Sequence, residues 1–144
     1  MLSIGVIGAG HLGKIHLKLL KELPSYHLKG FYDNDASTRQ QVSETLGIAT
    51  YADADSLIAA CDVVDIVTPT LSHFKYAMIA LNAGKHIFIE KPITHTLQEA
   101  EEMIALAEQK GLKIQIGHVE RFNPAFVAAQ NKIHLPVFLV AHRL

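Results

Sequence analysis

Gly8-Ala9-Gly10-His11-Leu12-Gly13 is a GxGxxG run set between an apolar segment ending at Ile7 and a helical pattern beginning at Leu12. In that setting each glycine has its own task. The first permits a tight turn, the second lets the backbone approach a pyrophosphate, and the third lets the helix pack closely on the strand. The N–H groups opening the helix, around His11, Leu12 and Gly13, lack intrahelical partners, and with the helix dipole they suit phosphate oxygens. An acid ending the second strand completes the pattern. Asp33 lies 33 − 13 = 20 positions after Gly13, and its carboxylate can accept from both hydroxyls of a ribose. The competing reading is a structural turn followed by a surface aspartate. A 2′-phosphate beside Asp33 would meet like-charge repulsion, which favours NAD over NADP. No Arg or Lys stands at Asn34 or Asp35, although Arg39 is near enough in sequence to matter.

Two further constellations follow apolar strand-like runs, where open α/β sheets place their ligands. Thr68-Pro69-Thr70-Leu71-Ser72-His73 comes after Val63–Val67, and Glu90-Lys91-Pro92 after His86–Ile89. The Lys91–Pro92 bond is a candidate cis peptide, since cis bonds are largely confined to X–Pro. The plain alternative for Lys91 is a solvated lysine following an edge strand. Nine histidines invite a metal hypothesis, but His11 and His16 are five apart and none fits HExxH or a Cys/His zinc spacing. No metal site is expected. Cys61 precedes a strand and reads as a small buried residue rather than a nucleophile.

The elements that must position these residues alternate along the chain. Ile4–Ile7, Leu28–Tyr32, Ile48–Tyr51, Val63–Val67, His86–Ile89 and Leu112–Gly117 read as strands. Between them lie helical patterns. Leu12, Ile15, Leu19 and Leu23 form an apolar stripe closed by Pro24. Asp35 is the N-cap of a helix over 36–46 that ends at Gly47, and Phe74, Ala77, Met78 and Leu81 mark a helix closed by Gly84. Thr96 and Glu99 make a capping box before Ala100, Met103, Ile104 and Ala107, with Gly111 as the stop. Strand, helix, strand with glycine joints predicts an α/β fold: a Rossmann-type, doubly wound parallel sheet with helices on both faces. After Pro124 the rhythm breaks into a short apolar helix, then Pro136 and a strand-like Val137–Ala141. The expected division is a nucleotide-binding domain over residues 1–124, with 125–144 a linker helix and first strand of a second, truncated domain.

The 144 residues suit one domain, and 49% of them are hydrophobic. Only 19% are charged, below the usual ~25%, which argues against disorder. Lys+Arg is 13 and Asp+Glu is 14, a formal charge of −1. That balance gives no reason to expect nucleic acid or an anionic membrane as partner. Every apolar stretch is interrupted before the ~18 residues of a membrane span. A single cysteine cannot form an internal disulfide, and no signal peptide precedes the first strand, so a cytoplasmic protein is expected.

Taken in order, GxGxxGxxH (Gly8 to His16), Asp33, TPxxxH (Thr68 to His73), AGKH (Ala83 to His86) and EKP (Glu90 to Pro92) resemble the cofactor domain of the glucose–fructose oxidoreductase/inositol dehydrogenase (Gfo/Idh/MocA) family. The resemblance covers nearly the whole chain, and EKP is its most specific element. It implies that Lys91 is the lysine that hydrogen-bonds the reacting hydroxyl or carbonyl oxygen, where it can stabilise a developing alkoxide. It implies further that Glu90 orients Lys91 or meets the cofactor ribose, that Thr68, Pro69 and Thr70 line the cofactor cleft, and that His73 starts the following helix. His118 to Pro124 resembles, more loosely, a family segment whose Arg and Asn approach cofactor or substrate, here Arg121 and Asn123. Arg121 reads equally as a domain-hinge salt bridge. The resemblance implies a dehydrogenase acting on a small sugar-like substrate (sugar, cyclitol or nucleotide-sugar), homo-oligomeric as a full-length protein, whose proton-transferring Asp and His lie in a second domain. Nothing in this chain matches that pair, so residues 1–144 alone are expected to be inactive. Two other readings stand beside it: a non-enzymatic NAD-sensing module, and an S-adenosylmethionine-dependent methyltransferase, which would leave Gly13 and Lys91 without a purpose.

Overall fold

The computed structural model describes residues 1–130. Strand β1 (Leu2–Ile7) lies inside a five-stranded sheet of order β2-β1-β3-β4-β5, with β2 Tyr26–Tyr32, β3 Val63–Ile66, β4 His86–Ile89 and β5 Ile114–Ile116. Every pairing is parallel. Parallel strands require crossovers, which here are the helices α1 (His11–Glu22), α2 (Ala36–Leu46), α3 (Ala54–Ala59), α4 (His73–Asn82) and α5 (Leu97–Lys110). A short α6 (Pro124–Gln130) follows β5. The Val137–Ala141 strand expectation lies outside the described residues.

Two apolar clusters show the double winding. Leu17 of α1 and Val42 of α2 pack with Val6, Phe31 and Val67. Leu57 and Ile58 of α3, Ala77 and Leu81 of α4, and Met103 of α5 pack with Ile7, Val64, Ile66, Ile87 and Ile89. Alternation along the strands sends neighbouring residues such as Val6 and Ile7 to opposite faces. Asp65, between Val64 and Ile66, therefore shares the α1 face.

Local signals account for the helix ends. Asp35 caps α2 through the N–H groups of Ser37 and Thr38, and the Thr38 and Ser37 hydroxyls, followed by those backbone bonds, hold its carboxyl down at about 2. Thr96 and Glu99 form the reciprocal capping box of α5. Gly47 and Gly111 close their helices in the left-handed conformation.

The structure departs from or adds to the sequence pattern in three places. Ile48–Tyr51 is not a strand: it makes one parallel bridge, Phe31 to Thr50, and two backbone bonds before the chain turns away. Residues 54–59, left without an element by periodicity, form α3, capped by Asp53 accepting from the Ser56 N–H. The stripe Leu12, Ile15, Leu19 and Leu23 does not face the sheet. These residues are 40–56% exposed, and α1 buries Gly13 and Leu17 instead. The reason is steric. Gly13 sits so close to Gly8 that a Cβ would collide with the Gly8 carbonyl oxygen, and this contact sets which face of α1 meets the sheet.

Candidate functional site

The carboxyl ends of β1, β2 and β3 open into one cavity of about 350 Å³, lined by residues including Gly8, Gly10, Asp33, Thr68, Pro69 and Tyr76. Its floor is the glycine turn. Gly8 has φ +101, and a Cβ there would fall 2.7 Å from the Val67 carbonyl oxygen, so both conformation and space require glycine. Gly10 differs: among the described residues nothing beyond its own chain neighbours lies within 4 Å of where its Cβ would be, and its backbone is extended. The fold therefore has no packing need for glycine at position 10, and what the missing side chain leaves is open space over the turn. Gly10 is also the N-cap of α1, with no side-chain capping bond. The helix thus begins with free N–H donors beside that space.

Asp33 closes the other side. Its Oδ2 accepts from the Ala9 N–H at 2.7 Å and its Oδ1 from the Asp35 N–H at 3.0 Å. These bonds fix the carboxylate and leave each oxygen a further lone pair. Arg39, flagged by its nearness in sequence, donates to the Asp33 carbonyl oxygen at 2.6 Å and lies 5.6 Å from the centre of the Tyr32 ring. Across the cavity, burial first, then Tyr32 and Asp33, push the Tyr76 hydroxyl above its ordinary value. The Thr68 hydroxyl oxygen is buried with no hydrogen-bond partner among the described residues, although Thr68 lines the cavity.

The remaining expected residues are placed differently. His11 and Leu12 open α1 and are exposed. Thr70 begins a 3-10 turn, Thr70–Ser72. His73 is buried, with Nδ1 2.9 Å from the Pro92 carbonyl oxygen and Nε2 2.9 Å from that of Thr68. It ties the Thr68–Pro69 loop to the Lys91–Pro92 loop, whose peptide bond is cis. Lys91 is exposed and lines a second hollow, of about 480 Å³, with His118 and Arg121. It follows β4, an interior strand rather than an edge. Asn123 donates from its amide to Glu120 at 2.8 Å. The structure thus brings Gly8, Gly10, Asp33, Thr68 and Pro69 to one cavity, and Lys91 and Arg121 to another.

Glu90 is 6% exposed and does not line the first cavity. Its Oε2 accepts from the Lys91 N–H at 3.2 Å, and its Oε1 pairs with His16 Nε2 at 3.5 Å. The other ring nitrogen of His16, Nδ1, lies 2.8 Å from Oδ2 of Asp65. The sequence reading assigned no role to His16 or Asp65. One signal was available, an acid inside the apolar run Val63-Val64-Asp65-Ile66-Val67. The three side chains form a line rather than converging on a point. Among the described residues no group of three or more His, Cys, Asp or Glu could hold a metal ion. Cys61 is buried, and that burial pushes its thiol up to about 11, which suits an inert core residue. Among the described residues no helix is long and apolar enough to cross a membrane.

Comparison with known proteins agrees with this geometry. Residues 2–118 match the model of the oxidoreductase family with an NAD-binding Rossmann fold, Gfo/Idh/MocA. The chain is 39% identical over 141 residues to UDP-N-acetylglucosamine 3-dehydrogenase of Acidithiobacillus ferrooxidans, covering 97% of this chain and 44% of that protein. A solved structure of that enzyme superposes with a TM-score of 0.85 at 37% identity, over 91% of this chain and 41% of the other. It is 33% identical over 132 residues to scyllo-inositol 2-dehydrogenase (NAD(+)) of Bacillus subtilis, covering 89% of this chain and 39% of that protein. GenD2 from gentamicin A biosynthesis, solved in complex with NAD, superposes with a TM-score of 0.85 at 25% identity, over 91% of this chain and 38% of the other. The chain therefore spans about two fifths of the length of these relatives. It belongs to the Gfo/Idh/MocA oxidoreductase family, of which it is the NAD-binding Rossmann domain.

Proposed function

We propose that this chain is the cofactor-holding part of a longer dehydrogenase that moves hydride between NAD and a secondary hydroxyl of a sugar, cyclitol or nucleotide-sugar. The observation that carries the reading is the cavity over the glycine turn: open space at Gly10, an uncapped helix start, and a carboxylate held by the turn's own backbone. These features fit a dinucleotide. Bound there, NAD supplies the hydride acceptor. Gly8, Gly10, His11, Leu12 and Gly13 bring backbone N–H groups to its phosphates, and Asp33 accepts from the adenosine ribose hydroxyls. Thr68, Pro69 and Thr70 form the wall, and the unpartnered Thr68 hydroxyl has a bond to give to a ligand. His73 and Glu90 act from beneath, bracing the two loops.

Lys91 holds the reacting oxygen, and Arg121 borders the same hollow on the substrate side. The nucleotide-sugar class is favoured by the 39% identity to a UDP-N-acetylglucosamine 3-dehydrogenase over 97% of this chain. Proton acceptance belongs to the part of the protein outside these 144 residues, and the full-length protein works as a homo-oligomer in the cytoplasm, where Cys61 stays reduced.

Cofactor choice tests the reading. NAD(H) is expected to bind the chain more tightly than NADP(H). Asp33→Ala removes charge-assisted hydrogen bonds of about 1.5–3 kcal/mol, so NAD affinity should fall by about tenfold to a hundredfold. The gap to NADP should narrow further because Arg39 remains nearby. Asp33→Asn, which keeps an acceptor for Ala9, separates charge from turn geometry. Calorimetric titration with both cofactors measures this, and tighter NADP(H) binding by the unmodified chain would reverse the assignment.

A further inference from the structure

His16 stands with 15% of its side chain exposed between two acids, neither of which lines the cavity over the glycine turn. Asp65 reaches its Nδ1 from β3, Glu90 pairs with its Nε2 from the end of β4, and Phe88 of β4 meets the ring edge-on at 5.9 Å. Among the described residues, those two carboxylates are the charges that act on the ring. Glu90 is held on its other sides as well. Its Oε2 accepts from the Lys91 N–H, and it packs on Gly117 beyond β5, where a Cβ would fall 2.5 Å from Oε1. A chain of contacts thus runs from a buried strand acid, through an imidazole and a carboxylate, to the backbone of Lys91.

We propose that His16 is a positioning residue for Lys91: its ring ties Asp65 to Glu90, and Glu90 in turn fixes the Lys91 backbone at the edge of the substrate-side hollow. The inference rests on the reading given under Proposed function for what Lys91 does, though not for the contacts themselves. An imidazolium can donate to both acids at once, whereas a neutral ring donates to only one. The Asp65 bond, opposed by burial, leads the causes that raise the His16 pKa above its ordinary value, with the charges of Asp65 and Glu90 adding to it. Burial raises Asp65 as well, while His16 lowers it, so the titration of one depends on the other. Because His16 is raised, the double tie is complete below the ordinary histidine value and is lost as pH rises through the folded one.

The test begins with heteronuclear NMR on the 144-residue chain, with pH swept from about 5 to about 9 across the histidine range. The His16 ring should titrate above 6.5, and the Lys91 backbone amide should shift with the same midpoint. His16→Asn places an amide where Nδ1 stood, keeping a partner for Asp65 while losing the reach to Glu90. In that variant the Lys91 shift should vanish. In the full-length enzyme the same change should lower kcat by about tenfold or more, since small misplacements at a reacting centre carry large rate losses, and change NAD affinity by less than about threefold. A Lys91 amide indifferent to His16 titration would overturn the proposal, as would an unchanged kcat in His16→Asn. The NMR arm needs neither cofactor nor turnover, so failure of the dehydrogenase reading would show separately, as absent NAD binding with the amide coupling intact.

Discussion

Under the proposed hydride chemistry, Lys91→Met in the full-length protein is expected to lower kcat by roughly 10²–10³-fold, the range over which one positioned donor to a developing oxyanion contributes to rate. NAD affinity should change by less than about threefold, because Lys91 borders the hollow with His118 and Arg121 rather than the cavity over the glycine turn. Methionine preserves much of the stem and removes the charge and donors, so the fold has little reason to respond at an exposed position. Residues 1–144 without a substrate-binding part should turn over nothing measurable, since both the proton acceptor and the wall positioning the alcohol would be missing. NADH formation across sugars, cyclitols and nucleotide-sugars checks both statements. Full activity in Lys91→Met would remove the lysine from the reaction, and turnover by the 144-residue chain alone would place the base within it.

Gly10→Val should abolish NAD binding, lowering affinity by at least about 10²-fold, or roughly 2.7 kcal/mol, while the fold survives. The extended backbone at Gly10 accepts a side chain, and among the described residues nothing beyond its chain neighbours lies within 4 Å of its Cβ position. The branched group would instead fill the space where a pyrophosphate must approach. Gly8→Val is the contrasting case, because strained φ and the Val67 carbonyl oxygen should cost the fold itself. Circular dichroism melting beside NAD titration separates the two. Undiminished affinity in Gly10→Val would move the pyrophosphate elsewhere.

Much of this was legible in the residues. The glycine turn, Asp33, the Asp35 cap, the Thr96–Glu99 capping box and the Lys91–Pro92 isomer depend on neighbours within a few positions or on one dipeptide, and sequence carries that information directly. That the strands run parallel followed from strand–helix alternation, because parallel neighbours need crossovers, whereas their order β2-β1-β3-β4-β5 came from the structure. The six residues of α3 were too few for a helical period to register, and its Asp53–Ser56 cap was the signal that remained. The stripe on α1 was legible as a stripe, yet not in its direction, since a period fixes spacing but not which face meets the sheet. That was decided by the close approach of Gly13 to Gly8.

The sequence alone determined the family and the Rossmann class, and with them the glycines at 8 and 13, where the backbone leaves no room for a side chain. Tertiary structure alone decided which distant polar groups became partners. His16 and Asp65 are 49 positions apart, and His73 lies 5 positions from Thr68 but 19 from Pro92, both of whose carbonyls it meets. The physical reason is the sheet. Stacking β3 beside β4 aligns Ile66 with Ile89, so the loops that follow them emerge together and residues unrelated by spacing share one buried edge.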